Sequence, residues 1–203
     1  IGVVIPVKNI VTYLEEALMS VEDQTLQPSS IIIVDDGSDS PVQIAESWSK
    51  KFNHIQLRRL ETSRGLGFAR NFGVSHLSNQ SIEHIAFLDA DDLWPEDRLE
   101  RLVEAIQSSQ KPMAFGQIQN VNQEGRPLTQ GLPCRLVNTG LISHETWAQV
   151  GGFDETLRVG QPIDFFSKAS RLGISYALID AVTVFRRLHG DNISRTQQSH
   201  TSD

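Results

Sequence analysis

The sequence contains little cysteine and no long apolar run. Its single cysteine, Cys134, cannot form a disulfide within the chain, which favours a reducing cytoplasm over a disulfide-stapled secreted fold. No apolar stretch approaches the ~18 residues that a membrane-spanning helix requires. We therefore expect a cytoplasmic protein, either free or at the inner face of a membrane, with no membrane segment in this sequence.

Positive charge is also scarce. The 203 residues contain 18 Lys and Arg side chains against 25 Asp and Glu, for a formal net charge of −7. A nucleic-acid-binding protein needs a basic stripe to neutralise phosphates, and this sequence shows none. A chain of this length with 39% hydrophobic residues can bury a large core. These numbers predict a globular protein without a nucleic-acid partner.

Two apolar stretches of strand-like composition each end in aspartates. The clusters are Asp35 and Asp36 after residues 31–34, and Asp89, Asp91 and Asp92 after residues 85–88. Ligands of open α/β sheets bind at the carboxyl ends of the strands, so both clusters should face one crevice. Hard cations such as Mg²⁺ take one or two carboxylates together with substrate phosphates. Acidic turns would explain either cluster alone, but the two together favour a metal–diphosphate site.

Apolar and amphipathic segments alternate over the first ~120 residues. Predicted strands cover residues 2–7, 31–34, 55–60, 85–88 and 113–121, with helices between them. This alternation predicts a doubly wound α/β unit. Thr12 and Glu15 have the form of a capping box for the first helix. Pro95, Glu96 and Asp97 have the composition of a helix's first turn.

The pattern changes at the turn-rich residues 123–127, beyond which short strands and frequent loops are predicted. The predicted elements are a helix capped by Ser143 and ended by Gly151 and Gly152, a helix over residues 163–172, and a strand pair over residues 176–179 and 181–187. From Ser194 the sequence is polar and unpatterned, which predicts a disordered tail.

The segment RGLGFARN, residues 64–71, is only superficially like a dinucleotide-binding fingerprint. Arg70 stands where the third glycine belongs, which disfavours an NAD site. A glycine-rich helix entrance in which Arg64 or Arg70 meets a phosphate fits the residues better. A solvated helix start is the alternative for each arginine.

Taken together, the motifs resemble the family-2 glycosyltransferases of the GT-A fold. The matching segments are VVIPVKN with YLEEALMSVEDQT, IIIVDDGS, RGLGFARN, FLDADDLWP, GGFDETLRVG and FRRLHGDNIS. The resemblance implies one α/β domain over residues 1–194 with a Rossmann-like, doubly wound mixed sheet. Its nucleotide-sugar-binding half would cover residues 1–122 and its smaller acceptor-side half residues 123–194, with 195–203 as the tail.

The resemblance further implies an activity and a set of site residues. A sugar would pass with inversion from a nucleotide-diphosphate sugar, UDP-sugar first, to an acceptor hydroxyl, aided by Mn²⁺ or Mg²⁺. The donor-binding residues, some beside the nucleobase and others by the ribose or phosphates, would be Pro6, Val7, Asp36, Arg70, Asn71 and Asp89. The acidic strand end and the glycine-rich helix entrance add Asp35 and Arg64 as further candidates. The metal–diphosphate group would be held by Asp89, Asp91 and His189.

The sequence departs from the family pattern at three places. Lys8 stands where a tyrosine is usual, and Ser63 replaces a common asparagine. At Gln161-Pro162, relatives usually carry an acidic pair that includes or supports the catalytic base. A base needs proton affinity that neither of these side chains has. Candidate bases are therefore Asp164 first, with Asp154 and Glu155 behind it, and a structural helix-end role is the alternative for Asp164.

Two other functions stay open. Gln161-Pro162 is compatible with a nucleotide-sugar-binding protein whose catalysis is impaired. A Mg²⁺-dependent phosphotransferase or phosphatase could use Asp89 as nucleophile and Asp91 as acid. That chemistry would leave the pair Asp35 and Asp36 without a task, whereas a nucleotide sugar has both a base and a diphosphate to be held.

Overall fold

A computed structural model describes residues 1–77 and 81–190, and within them eight strands form one sheet. The strands are β1 (Gly2–Val7), β2 (Ser30–Asp35), β3 (Ile55–Arg59), β4 (His84–Phe87), β5 (Met113–Val121), β6 (Leu132–Pro133), β7 (Gly140–Ser143) and β8 (Ala177–Arg187). The helices are α1 (Leu14–Glu22), α2 (Gln43–Lys51), α3 (Leu66–Leu77), α4 (Arg98–Ser109), α5 (His144–Val150) and α6 (Gln161–Arg171), and Val137–Thr139 form a 3₁₀ helix.

The sheet is mixed, with the strand order β3-β2-β1-β4-β7-β5-β6 and with β8 paired to β5. Strands β1 to β4 pair in parallel, while β7 is antiparallel to both β4 and β5. In the register, Val7 of β1 lies beside Asp35 of β2, and Val4 lies beside Phe87 of β4. The carboxyl ends of β1, β2 and β4 therefore share one edge. The predicted doubly wound α/β fold with a mixed sheet is confirmed.

The strands are apolar because both faces of the sheet are covered. Alternate side chains of β1 point to opposite faces, so Val3 and Ile5 join one core and Val4 joins the other. The first core is closed by α1, α2 and α4, and the second by α3, α5 and α6. Aromatic rings dominate the second core, where Trp147 packs against Phe165 with ring centroids 5.1 Å apart.

Helix α3 approaches the sheet closely because of one glycine. A Cβ atom at Gly73 would overlap the side chain of Val4 in β1, so any larger residue would push the helix outward. The same helix carries Arg70 and Asn71, both predicted to lie beside the donor. The contact between Gly73 and the sheet thus sets how close these two residues lie to the strands.

Two predicted helix starts are wrong. Helix α1 begins at Leu14 with Tyr13 as its N-cap residue and without a side-chain cap, so Thr12 and Glu15 form no capping box. The amide of Leu14 instead donates to the carbonyl of Val11, which removes the need for a hydroxyl acceptor. Helix α4 begins at Arg98, and its amide donates to the Pro95 carbonyl at 3.2 Å, so residues 95–97 form the turn before the helix.

The second half of the chain differs from its prediction in one main respect. The start of α5 is as predicted, since Ser143 Oγ accepts from the Thr146 amide, and Gly151 ends that helix at φ +86°. The predicted pair of short strands is wrong, because β8 is one strand of eleven residues that pairs in parallel with β5. Register shifts along β5, between Phe115 and Ile118, let the strand continue past the expected turn.

Residues beyond 123 extend the same sheet. Strand β7 lies between β4 and β5, so it joins the two predicted halves by main-chain pairing. The boundaries 1–122 and 123–194 stay predictions. Residues 191–194 of the motif FRRLHGDNIS and the predicted tail 195–203 lie outside the described residues. No helix in the described part of the chain is long and apolar enough to cross a bilayer.

Candidate donor and metal site

The loop after β4 concentrates three carboxylates in a tight turn. The Asp92 amide donates to the Asp89 carbonyl at 3.0 Å, which folds the turn back on itself. The side chain of Asp89 is 31% exposed and that of Asp91 17%, whereas Asp92 is buried. The turn therefore presents two carboxylates to the crevice and keeps the third inside the protein.

Asp89 is gripped from two directions. Its Oδ1 accepts from Arg70 Nη2 at 2.6 Å, and its Oδ2 accepts from Asn138 Nδ2 at 3.2 Å. Arg70 is buried, with its guanidinium carbon about 6 Å from the rings of Phe87 and Phe153. Arg70 is therefore a partner of Asp89 and not a side chain that reaches into solvent.

Asp91 is in direct contact with His189. His189 Nε2 lies 2.9 Å from Asp91 Oδ2, and the ring is buried at the end of the chain segment that follows β8. Burial, and next the charge of Asp89, raise the pKa of the Asp91 carboxyl above its usual value. A carboxylate and an imidazole side by side are suitable ligands for a divalent cation.

Asp92 joins this loop to the two later segments that pack on it. Its Oδ1 accepts from the Arg187 amide at 3.1 Å, and its Oδ2 lies 3.4 Å from Asn138 Nδ2. Burial raises the pKa of Asp92 well above the usual range, and the charges of Asp89 and Asp91 add to the effect. The buried carboxyl is thus held by neutral donors.

The second acidic cluster organises the glycine-rich entrance. Asp36 accepts from the Arg64 amide at 2.7 Å and, through its other oxygen, from Ser63 Oγ at 2.8 Å and the Gly65 amide at 3.0 Å. Asp35 is buried, accepts from the Ser38 amide, and lies 3.3 Å from the Arg59 guanidinium. An ionised carboxylate has about four acceptor positions, so Asp36 keeps roughly one for a ligand.

The remaining donor-side residues are placed around this edge. Pro6 and Val7 are buried at the end of β1, and the Val7 carbonyl accepts from the Asp36 amide at 2.9 Å. Arg64 is exposed, and its guanidinium lies 3.6 Å from the ring centroid of Phe68. Two of the predicted base-side residues therefore belong to the strand, while Arg64 lies on the outer side of the helix entrance.

Asn71 connects the donor side to the predicted acceptor side. Its Nδ2 donates to the Phe153 carbonyl and to Glu155 Oε1, each at 2.9 Å, and its Oδ1 accepts from the Phe153 amide. Asp154 accepts from both the hydroxyl and the amide of Thr156, and these hydrogen bonds lower its pKa. Of this loop's two carboxylates, Glu155 is the one joined directly to α3.

Helix α6 carries the two remaining positions in question. Asp164 Oδ2 lies 2.7 Å from the ammonium of Lys168, one turn further along the same helix. Gln161 is buried against Gly67 of α3, and its Nε2 donates to the Leu157 carbonyl at 2.6 Å. A position at which the family resemblance led us to expect an acidic residue therefore holds a neutral side chain packed against the helix entrance.

Several site residues were not predicted from the sequence. Asn138 lies in the 3₁₀ helix, within a stretch that matches no motif, and contacts two of the acidic side chains. Arg98 is fully buried and donates to the carbonyls of Asn138 and Gly140. These hydrogen bonds hold the 3₁₀ helix next to the turn that carries Asp89, Asp91 and Asp92. The motif FRRLHGDNIS could have indicated Arg187, but only its histidine was assigned a role.

The family assignment rests on a comparison of sequences. A sequence model described as "Glycosyl transferase family 2" matches residues 2–181. The chain belongs to glycosyl transferase family 2. The predicted family is thereby confirmed.

Named relatives cover part of the chain and are themselves longer. Glycosyltransferase GlyG of Streptococcus pneumoniae is 31% identical over 124 residues, which are 61% of this chain and 40% of that protein. The putative teichuronic acid biosynthesis glycosyltransferase TuaG of Bacillus subtilis is 32% identical over 129 residues, which are 63% of this chain and 50% of that protein. The chain therefore spans about half or less of these relatives.

Solved structures of TarS from S. aureus share the fold. The structure of TarS 1-349 in complex with UDP-GlcNAc has a TM-score of 0.76 at 22% identity, over 95% of this chain and 60% of that one. The structure of TarS 1-349 in complex with UDP has a TM-score of 0.73 at 20% identity. The likeness confirms the GT-A type of α/β fold for this family-2 chain.

We predict that the buried charge of Asp92 makes the metal-free protein less stable as pH rises. Because the folded-state pKa is raised, the folded protein binds more protons than the unfolded chain, and the free energy of unfolding falls from the ordinary carboxyl pKa of about 4 up to the raised value. Asp92→Asn, which keeps an acceptor for the Arg187 amide, should make the free energy of unfolding fall less between pH 5 and pH 8 than it does in the parent protein.

Urea unfolding with a chelator present, at both pH values, measures the difference. Glu124→Gln, at an exposed carboxylate in the 122–126 turn, is the control. Equal pH dependence in the parent and in Asp92→Asn would contradict the assignment of the effect to Asp92.

Proposed function

We propose that this family-2 chain transfers a sugar from a UDP-sugar to an acceptor hydroxyl with inversion, assisted by Mn²⁺ or Mg²⁺. The observation that carries the proposal is the pairing of Asp91 with His189 on the sheet edge that also carries Asp36. The end of that edge at Asp91 suits a metal-bound diphosphate, and the end at Asp36 suits a nucleobase. Location in the cytoplasm or at the inner face of a membrane belongs to the same proposal.

The hydrogen bonds of Asp36 are compatible with the uracil base of the proposed UDP-sugar. Three donors from residues 63–65 already hold its carboxylate, so the remaining position accepts and does not donate. The N3–H group of uracil meets that requirement, although N–H groups of other nucleobases meet it as well. The UDP complex of the structurally similar TarS supports this choice.

The metal site is proposed at Asp91 and His189. Among the described residues, no group of three His, Cys, Asp or Glu side chains is arranged to hold an ion. The protein would therefore supply about two ligands and the diphosphate the rest, as is usual for Mg²⁺. When bound, the ion stabilises the negative charge that develops on the diphosphate leaving group. Asp89, fixed by Arg70, remains available to the donor's ribose hydroxyls through its unused acceptor positions.

The catalytic base is proposed among the predicted carboxylates. Asp154 is the weakest candidate, because the hydrogen bonds from Thr156 that lower its pKa also lower its proton affinity. Asp164 shares its carboxylate with Lys168. Glu155 is bound to Asn71, next along α3 to the Arg70 that grips Asp89. Because of these contacts, Glu155 is proposed as the catalytic base in place of Asp164.

Impaired catalysis is the second candidate function. It is favoured by Gln161, a neutral and buried residue where relatives have an acidic pair. Such a protein would bind the nucleotide sugar and transfer it slowly. The phosphotransferase reading is disfavoured, because its nucleophile, Asp89, already has an Arg70 N–H on one oxygen and an Asn138 N–H on the other.

The metal-dependent part of UDP binding should depend on Asp91. We expect Mn²⁺ to tighten UDP binding in the parent protein, and Asp91→Asn to reduce that gain by roughly tenfold or more, since losing even a partner of a metal ligand typically costs 10–100-fold. Calorimetric titration of UDP with and without Mn²⁺ measures the gain. Asp97→Asn, a carboxylate paired with Arg101 on the surface, is the matched control. An affinity for UDP that does not respond to metal would refute the metal site.

Turnover should be limited by the missing acidic pair. Gln161→Glu combined with Pro162→Asp restores the family's charges and should accelerate UDP-sugar hydrolysis if those acids supply the base, by up to roughly the 10²–10⁴-fold typical of general-base catalysis. If Glu155 is the working base, Glu155→Gln should abolish the parent's activity while Asp164→Asn retains it. Rates at saturating Mn²⁺ and UDP-sugar decide between them. A fast parent enzyme that tolerates both substitutions would show that the base lies elsewhere.

A further inference from the structure

The end of β8 contacts the beginning of α1 through a fully buried arginine. Arg187 Nε donates to the Asp91 carbonyl at 3.2 Å, and Nη2 donates to Glu16 Oε2 at 2.6 Å. A further guanidinium hydrogen bond is accepted by the Gln123 carbonyl. One side chain therefore ties the acidic turn, the first turn of α1 and the 122–126 turn together.

Tyr13 lies between this arginine and the predicted metal ligand. The Arg187 guanidinium carbon is 4.5 Å from the Tyr13 ring centroid, and the His189 ring centroid is 5.0 Å from it at an interplanar angle of 43°. Arg187 and His189 are two residues apart, and the Leu188 amide still donates to the Val121 carbonyl on β5. On extended chain such residues share a face, so both side chains meet the same tyrosine.

We infer that Tyr13 and Arg187 are positioning residues that hold the His189 ring against Asp91, so that the start of α1 forms part of the metal–diphosphate site. The inference rests on the proposed function of that site. Coordination requires the imidazole to present one nitrogen in a fixed direction, and groups that pack against a ligating histidine set that direction. Here the ring contact and the hydrogen bond to the Asp91 main chain act on both ligands of the pair at once.

A purely structural role for Tyr13 makes a different prediction. If its ring only fills space at the N-cap of α1, truncation should lower stability and leave the metal response of UDP binding as it was. If the ring positions His189, truncation should reduce the metal response, while metal-free UDP binding, which relies on the Asp36 end of the edge, stays the same. The contrast between the two affinities is therefore the informative readout.

The test compares Tyr13→Leu with the conservative Tyr13→Phe by calorimetric titration of UDP, each with and without Mn²⁺. We expect Tyr13→Leu to reduce the Mn²⁺-dependent gain in affinity by roughly 10–100-fold, the usual cost of losing a group that supports a metal ligand. Tyr13→Phe keeps the ring that contacts His189, and it should therefore retain most of the Mn²⁺-dependent gain in affinity. Met19→Ala, at an exposed position of α1, controls for general effects on the helix.

Urea unfolding of each variant shows whether it is folded under the titration conditions. Glu16→Ala tests the contribution of Arg187 from the exposed side of the contact, because it removes the carboxylate that pairs with the guanidinium. A folded Tyr13→Leu protein with the full metal gain overturns the positioning role of Tyr13, and a folded Glu16→Ala protein with the full metal gain overturns that of Arg187; neither result bears on the metal site itself. A parent protein without any metal gain overturns the metal site itself, and the positioning role with it.

Discussion

Mutual repulsion among three carboxylates within four residues is the constraint on which this structure depends. Two partly exposed side chains and one buried one share the turn after β4, and an unpaired charge in such a place costs several kcal/mol. The compensating groups come from parts of the chain far apart in sequence: Arg70 on α3, Asn138 on the 3₁₀ helix, the Arg187 amide on β8, and His189 beyond it. Closing the fold around the turn assembles the site.

The sequence predicts the acidic edge of the sheet well, but it predicts the hydrogen-bond partners of these carboxylates poorly. Apolar strands ending in aspartate, alternating with amphipathic helices, suffice to place Asp36 and Asp91 on one sheet edge, because parallel pairing leaves no other arrangement. The partners of these carboxylates are set by tertiary contacts that no local pattern encodes. Asn138 has no motif around it, and Arg70 carried a phosphate-binding prediction although it grips Asp89. The long β8 was predicted as two short strands. The predicted break between them falls where its pairing with β5 is irregular, between Leu178 and Val182.

The predicted acceptor side carries the neutral Gln161 and is joined to the rest of the fold by specific contacts. Gln161 packs against Gly67 at the entrance of α3, and Asn71 holds the loop of Phe153 and Glu155 by three hydrogen bonds. This arrangement keeps the donor edge and the acceptor loop in fixed relation whether or not a strong base is present. The groups predicted to bind the donor and the carboxylate proposed as the base therefore lie on different elements.

The most direct test of the account is X-ray diffraction from crystals grown with UDP and Mn²⁺, with data collected at the manganese absorption edge. The account predicts an anomalous peak between Asp91 and His189 that also contacts the diphosphate. It further predicts that the uracil base of UDP lies beside Asp36 and that Arg70 stays in contact with Asp89. A manganese ion or a diphosphate bound away from this edge of the sheet would contradict it.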